Sequence, residues 1–282
     1  MSKSGSAAVR AVGLVPHPHR DTAAALVRRA SQRLGEHGIE VRCATSDDPT
    51  ELDAYGLDVV ISLGGDGTML RAVDLAYEAG VAVLGVNVGQ MGYLTEVEPD
   101  DFDAALERLI GGNYEVAERM VLEVVVESQS PARGRWFALN EAVLEKVHTG
   151  RLARLEVDIN GTYFTTYAAD GVIVATPTGS TAYSFSARGP IVSPRHRCIL
   201  LTPVSPHMLF DRSLVLAAEE SLRFVVCDDR SVVLTADGRE LGELSAGDAV
   251  VCRGGALPAR IVTFGPRDFH QILKAKFGLS DR

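Results

Sequence analysis

The sequence has no apolar run long enough to cross a bilayer and no excess of basic side chains. A transmembrane helix needs about 20 consecutive apolar residues, and no stretch of this chain approaches that length. Acidic residues outnumber basic ones by 37 to 28, which gives a formal net charge of −9 at pH 7. Nucleic acids and anionic membranes repel a chain of this charge. We therefore expect neither as a partner.

Cysteine is also scarce. Cys43, Cys198, Cys227 and Cys252 show no close Cys-Cys or Cys-His spacing, which argues against a zinc site or a disulfide framework and favours reduced thiols. The N-terminal residues lack the apolar segment of a signal peptide. We expect a cytoplasmic protein whose own side chains hold no metal ion.

The chain has enough apolar material for two domains, with 282 residues of which 46% are hydrophobic. Its first third alternates strand-like and helix-like patterns, which is typical of an open parallel α/β sheet. The predicted segments are strands 8–15, 39–44, 58–63 and 81–86 and helices 21–37, 68–79 and 99–110. Asp21 is the expected N-cap of the first helix, and Gly38 is its expected stop.

After residue 113 the pattern changes to short β segments separated by turns. The predicted segments are strands 114–127, 135–147, 152–159 and 161–168, further strands between 198 and 264, and a final helix. We therefore predict an α/β domain over residues 1–112, a β-rich domain over 113–265, and a closing helix over 266–282 that is free to pack on either domain.

The most informative motif is LGGDGTML at residues 63–70, directly after a predicted buried strand. Ligands of open α/β sheets bind at that edge. Gly64, Gly65 and Gly67 lack β-carbons, so backbone amides can approach a phosphate, and the next helix N-terminus favours the anion. Asp66 would repel phosphate, but it suits a hydroxyl that loses its proton while attacking phosphorus. The alternative is an ordinary strand-to-helix turn with Asp66 as a cap.

Two common nucleotide-binding motifs are missing. The chain has no G-x-x-x-x-G-K-[ST] loop and no G-x-G-x-x-G after its first strand, and the nearest match, GVNVGQMG at 85–92, has the wrong spacing. A protein that handles phosphate without either motif belongs to a restricted class.

A second motif is rich in hydroxyl groups. Seven of the eleven residues from 176 to 186 carry one, which suits a ribose or an amide-bearing ligand. Tyr183 offers a ring that can stack on a base, and the small Ala182 lets the base approach. The alternative is a Ser/Thr-rich loop that forms hydrogen bonds with itself.

A third feature is the pair Asn140-Glu141 within the strand-like run FALNEAVLE. An amide and a carboxylate in apolar surroundings need polar partners, and a ligand is one candidate. Outward-facing strand residues are the alternative.

Together these stretches resemble the NAD kinase family over most of the chain. The matching segments, in the order and spacing of that family, are GGDGTML, NVGQMGYLTE at 87–96, Asn140-Glu141 and TPTGSTAYSFSARGP at 176–190. TPTGSTAY with an upstream Asn-Glu is specific, whereas GGDGT is similar to diacylglycerol kinases, sphingoid kinases and phosphofructokinases. The resemblance implies phosphoryl transfer from ATP, or from polyphosphate, to the 2′-hydroxyl of the adenosine ribose of NAD. It also implies an N-terminal α/β domain and a C-terminal β-sandwich domain.

The resemblance also assigns residues. Asp66 matches the proton acceptor, and Tyr183 matches the ring that stacks on the base. The residues that match the phosphate and ATP loop are Gly64, Gly65, Gly67, Thr68 and Arg71. Those that match the NAD-binding set are Asp66, Gly67, Arg71, Asn140, Glu141, Arg151, Asp170, Thr178, Thr181, Ala182, Tyr183, Ser184 and Ser186.

The resemblance further implies that Mg²⁺ arrives with ATP and that the chain forms a homodimer or homotetramer. Sites in this family can borrow residues from a neighbour, which leaves open the subunit that supplies Asp170. Two alternatives remain, a lipid kinase sharing GGDGT and a non-catalytic NAD(P)-binding sensor. The hydroxyl-rich segment argues against the first, and an intact Asp66 argues against the second.

Three positions depart from the family pattern. Arg188 stands where many relatives have glycine, and it is interpreted either as a phosphate contact or as a solvated surface side chain. Met91 and Tyr93 replace a more usual Leu and Phe, and both replacements conserve volume.

Overall fold

The computed structural model describes residues 3–4, 8–44, 52–89, 92–265 and 268–279. The chain forms two compact units, Met1–Glu118 with Ala259–Arg282, and Arg119–Pro258. These limits differ from the expected boundaries at 112 and 265. The strand at 259–263 is the reason, because it pairs in parallel with the strand at 82–87 and so belongs to the first unit.

The elements are numbered in chain order within the described residues. The strands are β1 (Lys3–Ser4), β2 (Ala11–Pro16), β3 (Glu40–Cys43), β4 (Val59–Gly64), β5 (Ala82–Asn87), β6 (Glu115–Arg119), β7 (Leu122–Glu127), β8 (Gly134–Ala138), β9 (Glu141–Lys146), β10 (Ala153–Ile159), β11 (Thr162–Ala169), β12 (Gly171–Ala175), β13 (Cys198–Val204), β14 (Leu214–Ala217), β15 (Ser221–Val226), β16 (Val232–Ala236), β17 (Arg239–Leu244), β18 (Ala249–Gly254) and β19 (Ala259–Thr263). The helices are α1 (Asp21–Glu36), α2 (Asp66–Tyr77), α3 (Phe102–Ile110), α4 (Tyr183–Ser186) and α5 (Phe269–Lys276), with 3₁₀ turns at Pro99–Asp101 and Gly179–Thr181.

The first unit is built on the sheet β1-β6-β19-β5-β4-β2-β3. Its central strands pair in parallel, β3 with β2, β2 with β4, β4 with β5 and β5 with β19. Residues of β4 alternate between the two faces of the sheet. Ile61 and its neighbours on one face pack with α1 and α3, whereas α2 covers the other face, where Met69 faces Gly85 of β5. The predicted parallel α/β architecture is confirmed.

Two helix starts differ from the expected ones. The first helix begins at Asp21 itself, so Arg20 holds the N-cap position and the Asp21 carboxylate lies in the first turn. There its negative charge interacts favourably with the positive end of the helix dipole. The second helix begins at Asp66 instead of residue 68, because the turn at Gly65 leads directly into it.

The second unit is a β-sandwich of two antiparallel sheets, β11-β10-β15-β18-β7-β8 and β14-β13-β12-β9-β16-β17. Both sheets contribute to one core, which holds for example Leu155, Phe224 and Leu144. Asn160-Gly161 and Asp237-Gly238 each take left-handed φ values and close two-residue hairpins, as such dipeptides favour. The predicted β-rich architecture is confirmed.

The hydroxyl-rich segment lies on the outer face of the second sheet. Tyr183, Ala187 and Val192 pack against a small apolar cluster that includes Ile173 and Leu200. This cluster fixes the segment to β12 and β13, so its position follows from apolar packing as well as from hydrogen bonds.

The chain closes with α5, whose N-cap Asp268 accepts a hydrogen bond from the backbone N–H of His270 at 2.9 Å. This helix belongs to the first unit. Among the helices formed by the described residues, none combines the length and apolar character that crossing a membrane requires. All four cysteines are free thiols.

Arg188 occupies the position after the end of α4 where a left-handed residue is needed. Its φ is 66°, and the backbone N–H groups of Arg188 and Gly189 donate to the carbonyls of Phe185 and Ser184. This is the Schellman arrangement, which favours glycine because a β-carbon is disfavoured at such φ values. Arginine at this position therefore costs backbone energy relative to glycine.

We expect Arg188→Gly to raise the free energy of unfolding by about 1 kcal/mol, the approximate cost of a left-handed conformation for a residue with a β-carbon. Denaturant unfolding measures the change. Arg195→Gly is the matched control, because no left-handed φ is present there, and it should destabilise the protein. Equal destabilisation by both changes would contradict the explanation.

Candidate functional site

The glycine turn lies at the carboxyl edge of the parallel sheet. It connects the end of β4 at Gly64 with the start of α2 at Asp66, and it is flanked by the ends of β2 and β5. Gly67 is exposed in the first turn of the helix, so backbone amides at the helix N-terminus are available to an anion. The position suits a phosphate group.

The Asp66 carboxylate is held by backbone amides from another segment. Its two oxygens accept hydrogen bonds from Tyr93 N at 2.9 Å and from Leu94 N at 3.1 Å. A β-carbon at Gly92 would overlap this carboxylate. Asp66 therefore does not act as a simple helix cap. It is aimed by the segment at 92–94.

The Thr68 side chain packs against the end of β4, directly before the turn. Its side chain is buried, and a β-carbon at Gly64 would overlap it. Within the structure its hydroxyl group faces the strand end, so the glycine at 64 is required by the packing of Thr68.

Two arginines lie near this edge. Arg71, expected from the resemblance, donates from Nη2 to the carbonyl of Pro16 at 3.2 Å. Arg20 donates from Nη1 to the carbonyl of Val88, next to Gly89. Sequence reasoning missed Arg20, because its partner lies 68 positions away and no local motif marks it.

In the second unit, Asn140 and Glu141 lie at a corner between the two sheets. The predicted single strand 135–147 is in fact two strands, β8 in one sheet and β9 in the other. The Asp237 carboxylate accepts hydrogen bonds from the amides of Leu139, Asn140 and Glu141 at 2.7, 2.8 and 3.1 Å. These three bonds hold the corner, and Asp237 is a second residue that sequence reasoning missed.

Gly179 packs directly on this corner. A β-carbon at that position would overlap the backbone of Asn140. Thr176 also binds here, since its hydroxyl donates to the carbonyl of Leu139 at 2.5 Å and its amide donates to the carbonyl of Asn140 at 2.8 Å. The glycine in TPTGST is thus needed to bring the hydroxyl-rich segment against Asn140-Glu141.

Glu141 is a buried carboxyl with an unused hydrogen-bonding oxygen. Its Oε2 is buried without a hydrogen-bond partner. Burial and, second, the nearby Asp237 carboxylate raise the pKa of Glu141 to about 8, although a hydrogen bond from the Tyr183 backbone works in the opposite direction. A ligand hydroxyl that donates to Oε2 would satisfy this group.

The hydroxyl groups of the 176–186 segment divide into two sets. Ser180 and Ser184 are fully buried, and the Ser184 hydroxyl lies 3.2 Å from that of Thr202. Ser180 fits the self-bonding alternative, since its hydroxyl donates to the carbonyl of Pro177 at 2.7 Å, whereas Ser184 contacts Thr202 of β13, outside the segment. The geometry gives no support to Ser184 as an NAD contact. Thr178, Thr181 and Ser186 are half-buried or exposed, as is Ala182.

Tyr183 and Asp170 bind charged neighbours on β9. The Tyr183 hydroxyl donates to Glu145 Oε1 at 3.2 Å, and burial followed by the Glu145 charge raises the pKa of Tyr183. Asp170 forms an ion pair with Lys146. Arg151 is exposed in the turn before β10.

A groove of about 460 Å³ lies on the second unit. Its lining includes Tyr183, Ser186, Arg188 and Arg212, and its volume falls in the range of roughly 300–1,000 Å³ that small-molecule sites occupy. In the described part of the chain, no group of three or more His, Cys, Asp or Glu side chains is placed to hold a metal ion. Met91 lies outside the described residues.

An amide-held aspartate at a glycine turn, on an α/β unit joined in sequence to a β-sandwich, defines a phosphotransferase of the GGDG class. Known proteins agree. The model of the ATP-NAD kinase N-terminal domain matches residues 44–114, and that of the C-terminal domain matches residues 139–264. The chain therefore belongs to the NAD kinase family, and the predicted activity is confirmed over the lipid kinase and the sensor.

Individual relatives support this assignment. An NAD kinase of Heliobacterium modesticaldum is 44% identical over 78% of both chains. An NAD kinase 2 of Streptomyces avermitilis is 38% identical over 96% of this chain and 95% of its own.

Two solved structures share the fold. The NAD kinase of Archaeoglobus fulgidus in complex with ATP has a TM-score of 0.71 at 25% identity, covering 95% of this chain and 97% of its own. The yeast NADH kinase complexed with NADH has a TM-score of 0.88 at 24% identity, covering 98% and 90%.

The raised pKa of Glu141 predicts a pH-dependent stability. The folded protein keeps Glu141 protonated up to about pH 8, whereas the unfolded chain loses that proton near its usual value of 4.5. Stability from this group is therefore lost as the pH rises from about 5 to 8. We expect the difference in Tm between Glu141→Gln and the wild type to shift in favour of the variant as the pH rises across that window. Glu219→Gln, an exposed carboxylate of the same unit, should show no such trend; a flat difference for Glu141→Gln would refute the assignment.

The Asp237 corner predicts a second effect. Asp237→Asn keeps a residue that tolerates the left-handed φ of 48°. It removes one of the two side-chain oxygens that accept hydrogen bonds from the three amides. We expect the free energy of unfolding to fall by about 1–3 kcal/mol, the cost of an unsatisfied buried donor. Asp248→Asn serves as the control, because Asp248 binds a single amide in an exposed turn. Similar losses for both variants would contradict the corner's importance.

Proposed function

We propose that Asp66 accepts the proton when the 2′-hydroxyl of the adenosine ribose of NAD attacks the terminal phosphorus of the donor. The observation that carries this proposal is the pair of hydrogen bonds from Tyr93 and Leu94 to the Asp66 carboxylate. They fix the carboxylate of a residue that belongs to the glycine turn. A residue whose only role was to bind phosphate would not carry a negative charge at this position. The remaining lone pairs of Asp66 can accept a hydroxyl proton.

The ribose oxygen forms a bond to the γ-phosphorus, the bond from that phosphorus to the bridging oxygen breaks, and ADP leaves as the hydroxyl proton passes to Asp66. Phosphoryl transfer generally has a loose transition state, so positioning and charge neutralisation contribute more than early deprotonation. An aspartate held by two amides suits this role, because its carboxylate is well oriented.

We propose that the first turn of α2 binds donor phosphates. Gly65 and Gly67 leave its amides accessible, and the helix dipole favours the anion. Arg71 lies on the same helix, near the end of β2, and supplies a positive charge there.

In the second unit, we propose that Glu141 and Asn140 bind NAD. The unpartnered Oε2 of Glu141 is the acceptor that a ribose hydroxyl would satisfy. Thr178, Thr181, Ala182 and Tyr183 would then surround the adenine, with Ser186 at the edge of the groove. Asp170, paired with Lys146, and the exposed Arg151 are proposed contacts to the rest of the dinucleotide.

Mg²⁺ is proposed to enter with the nucleotide, and ATP is the proposed donor. Magnesium is often held by substrate phosphates plus few protein ligands. The ATP complex of the Archaeoglobus fulgidus enzyme supports ATP as a donor.

We also propose a homo-oligomer in the cytoplasm. Tyr163 on β11 is 58% exposed and Val215 on β14 is 57% exposed, and both strands lie at sheet edges. Apolar side chains on such edges are suited to pairing with another copy. The free thiols of the cysteines fit a reducing compartment.

We expect Asp66→Asn to lower turnover by about two to four decades, the usual contribution of a positioned general base, with nearly unchanged NAD affinity. Purified protein, Mg²⁺, ATP and NAD are assayed with an NADP-specific dehydrogenase, while calorimetry measures NAD binding. Parallel reactions replace ATP with polyphosphate, or NAD with NADH, to rank donors and acceptors. Near-wild-type turnover of Asp66→Asn would remove Asp66 from the mechanism.

A further inference from the structure

The C-terminal helix α5 reaches the segment that holds Asp66. The ammonium group of Lys276 lies 4.0 Å from the centroid of the Tyr93 ring. This is a short cation–π distance. Lys276 lies in the last turn of α5, so the contact joins the end of the chain to a residue in its first third.

Tyr93 connects this contact to Asp66. Its backbone N–H donates one of the two hydrogen bonds to the Asp66 carboxylate, and the adjacent Leu94 donates the other. Gly92, on the other side, packs against the same carboxylate. The ring that Lys276 covers therefore belongs to the residue whose amide aims Asp66.

Phe264, which precedes α5 in sequence, forms a second contact with the segment that holds Asp66. The amide of Phe264 donates to Glu96 Oε1 at 3.0 Å. Arg108 makes two contacts with Phe264. Its Nη2 donates to the Phe264 carbonyl at 3.0 Å, and its guanidinium lies 4.6 Å from the centroid of the Phe264 ring. These contacts fix Phe264 to Glu96 of the segment that holds Asp66.

The side chain of Tyr93 also lies close enough to Asp66 for the carboxylate charge to act on the Tyr93 hydroxyl. Burial first, and then the negative charge of Asp66, raise the pKa of Tyr93. A displacement of the ring would therefore move the residue whose amide holds the Asp66 carboxylate.

We propose that Lys276 is a positioning residue for phosphoryl transfer, holding the Tyr93 ring and thereby the Tyr93 and Leu94 amides that aim Asp66. The proposal rests on the proposed role of Asp66. It assigns no contact with substrate to Lys276. An alternative in which Lys276 only stabilises the fold predicts lower stability without a specific effect on turnover.

The first test compares Lys276→Met with Lys276→Arg. Methionine keeps much of the side-chain length but removes the charge, whereas arginine keeps a cation that can lie over the ring. We expect Lys276→Met to lower kcat about three- to fivefold, in keeping with the modest strength of an exposed cation–π contact, with KM and Kd for NAD unchanged. Lys276→Arg should restore most of kcat. Arg28→Met removes the same charge from an exposed site on α1 and should leave kcat unchanged.

A double-mutant cycle then tests whether Lys276 acts through Tyr93. Tyr93→Phe keeps the ring, so Lys276→Met should still lower kcat in that background. Tyr93→Leu removes the ring, so adding Lys276→Met should have no further effect on kcat. An undiminished effect of Lys276→Met in the Tyr93→Leu background would overturn the proposal.

The outcomes separate the two proposals. If wild-type protein forms NADP and Asp66→Asn does not, the proposed function stands and the Lys276 variants test only the positioning role. Unchanged kcat in Lys276→Met would then overturn that role. Equal losses of kcat in Lys276→Met and Arg28→Met would also overturn that role. The same holds if the loss of kcat in each variant is explained by its loss of Tm.

Discussion

The hydrogen bonds from the Tyr93 and Leu94 amides to the Asp66 carboxylate are the constraint on which the geometry of the glycine turn depends. They join the turn after β4 to the segment after β5, two neighbouring ends of one parallel sheet. Because a carboxylate occupies this space, residue 92 must lack a β-carbon. The family motifs at 64–70 and 87–96 are therefore two halves of one structural arrangement, with each half accounting for residues in the other.

The second unit uses the same interaction for a different purpose. There the Asp237 carboxylate binds three consecutive amides and turns the chain from one sheet to the other. The charge that stabilises the backbone also disfavours ionisation of the adjacent Glu141. A buried carboxyl with an unpartnered oxygen costs folding free energy, and a ligand that donates a hydrogen bond to this oxygen would reduce that cost.

Local patterns predicted most elements and few of their long-range partners. The helix at Asp21–Glu36 follows from its apolar spacing, and the hairpin at Asn160-Gly161 follows from its turn residues. The placement of β19 does not, because a short apolar strand carries no information about which sheet it joins. The break at Leu139-Asn140 was also missed, since FALNEAVLE has a continuous strand pattern and its Asp237 partner lies 96 to 98 positions away. The hydroxyl-rich segment shows the same limit, because composition does not distinguish the buried Ser184 from the exposed Ser186.

The return of β19 to the first sheet also bears on how the chain folds. β6 and β19 are neighbours in that sheet, although the whole of Arg119–Pro258 separates them in sequence. The sandwich is thus an insertion between two strands that are neighbours in the first sheet. During synthesis from the N-terminus, the inserted unit has all its strands before the host sheet receives its missing one. The sandwich can therefore complete its core first, while the unit that contains Asp66 must wait for the last part of the chain.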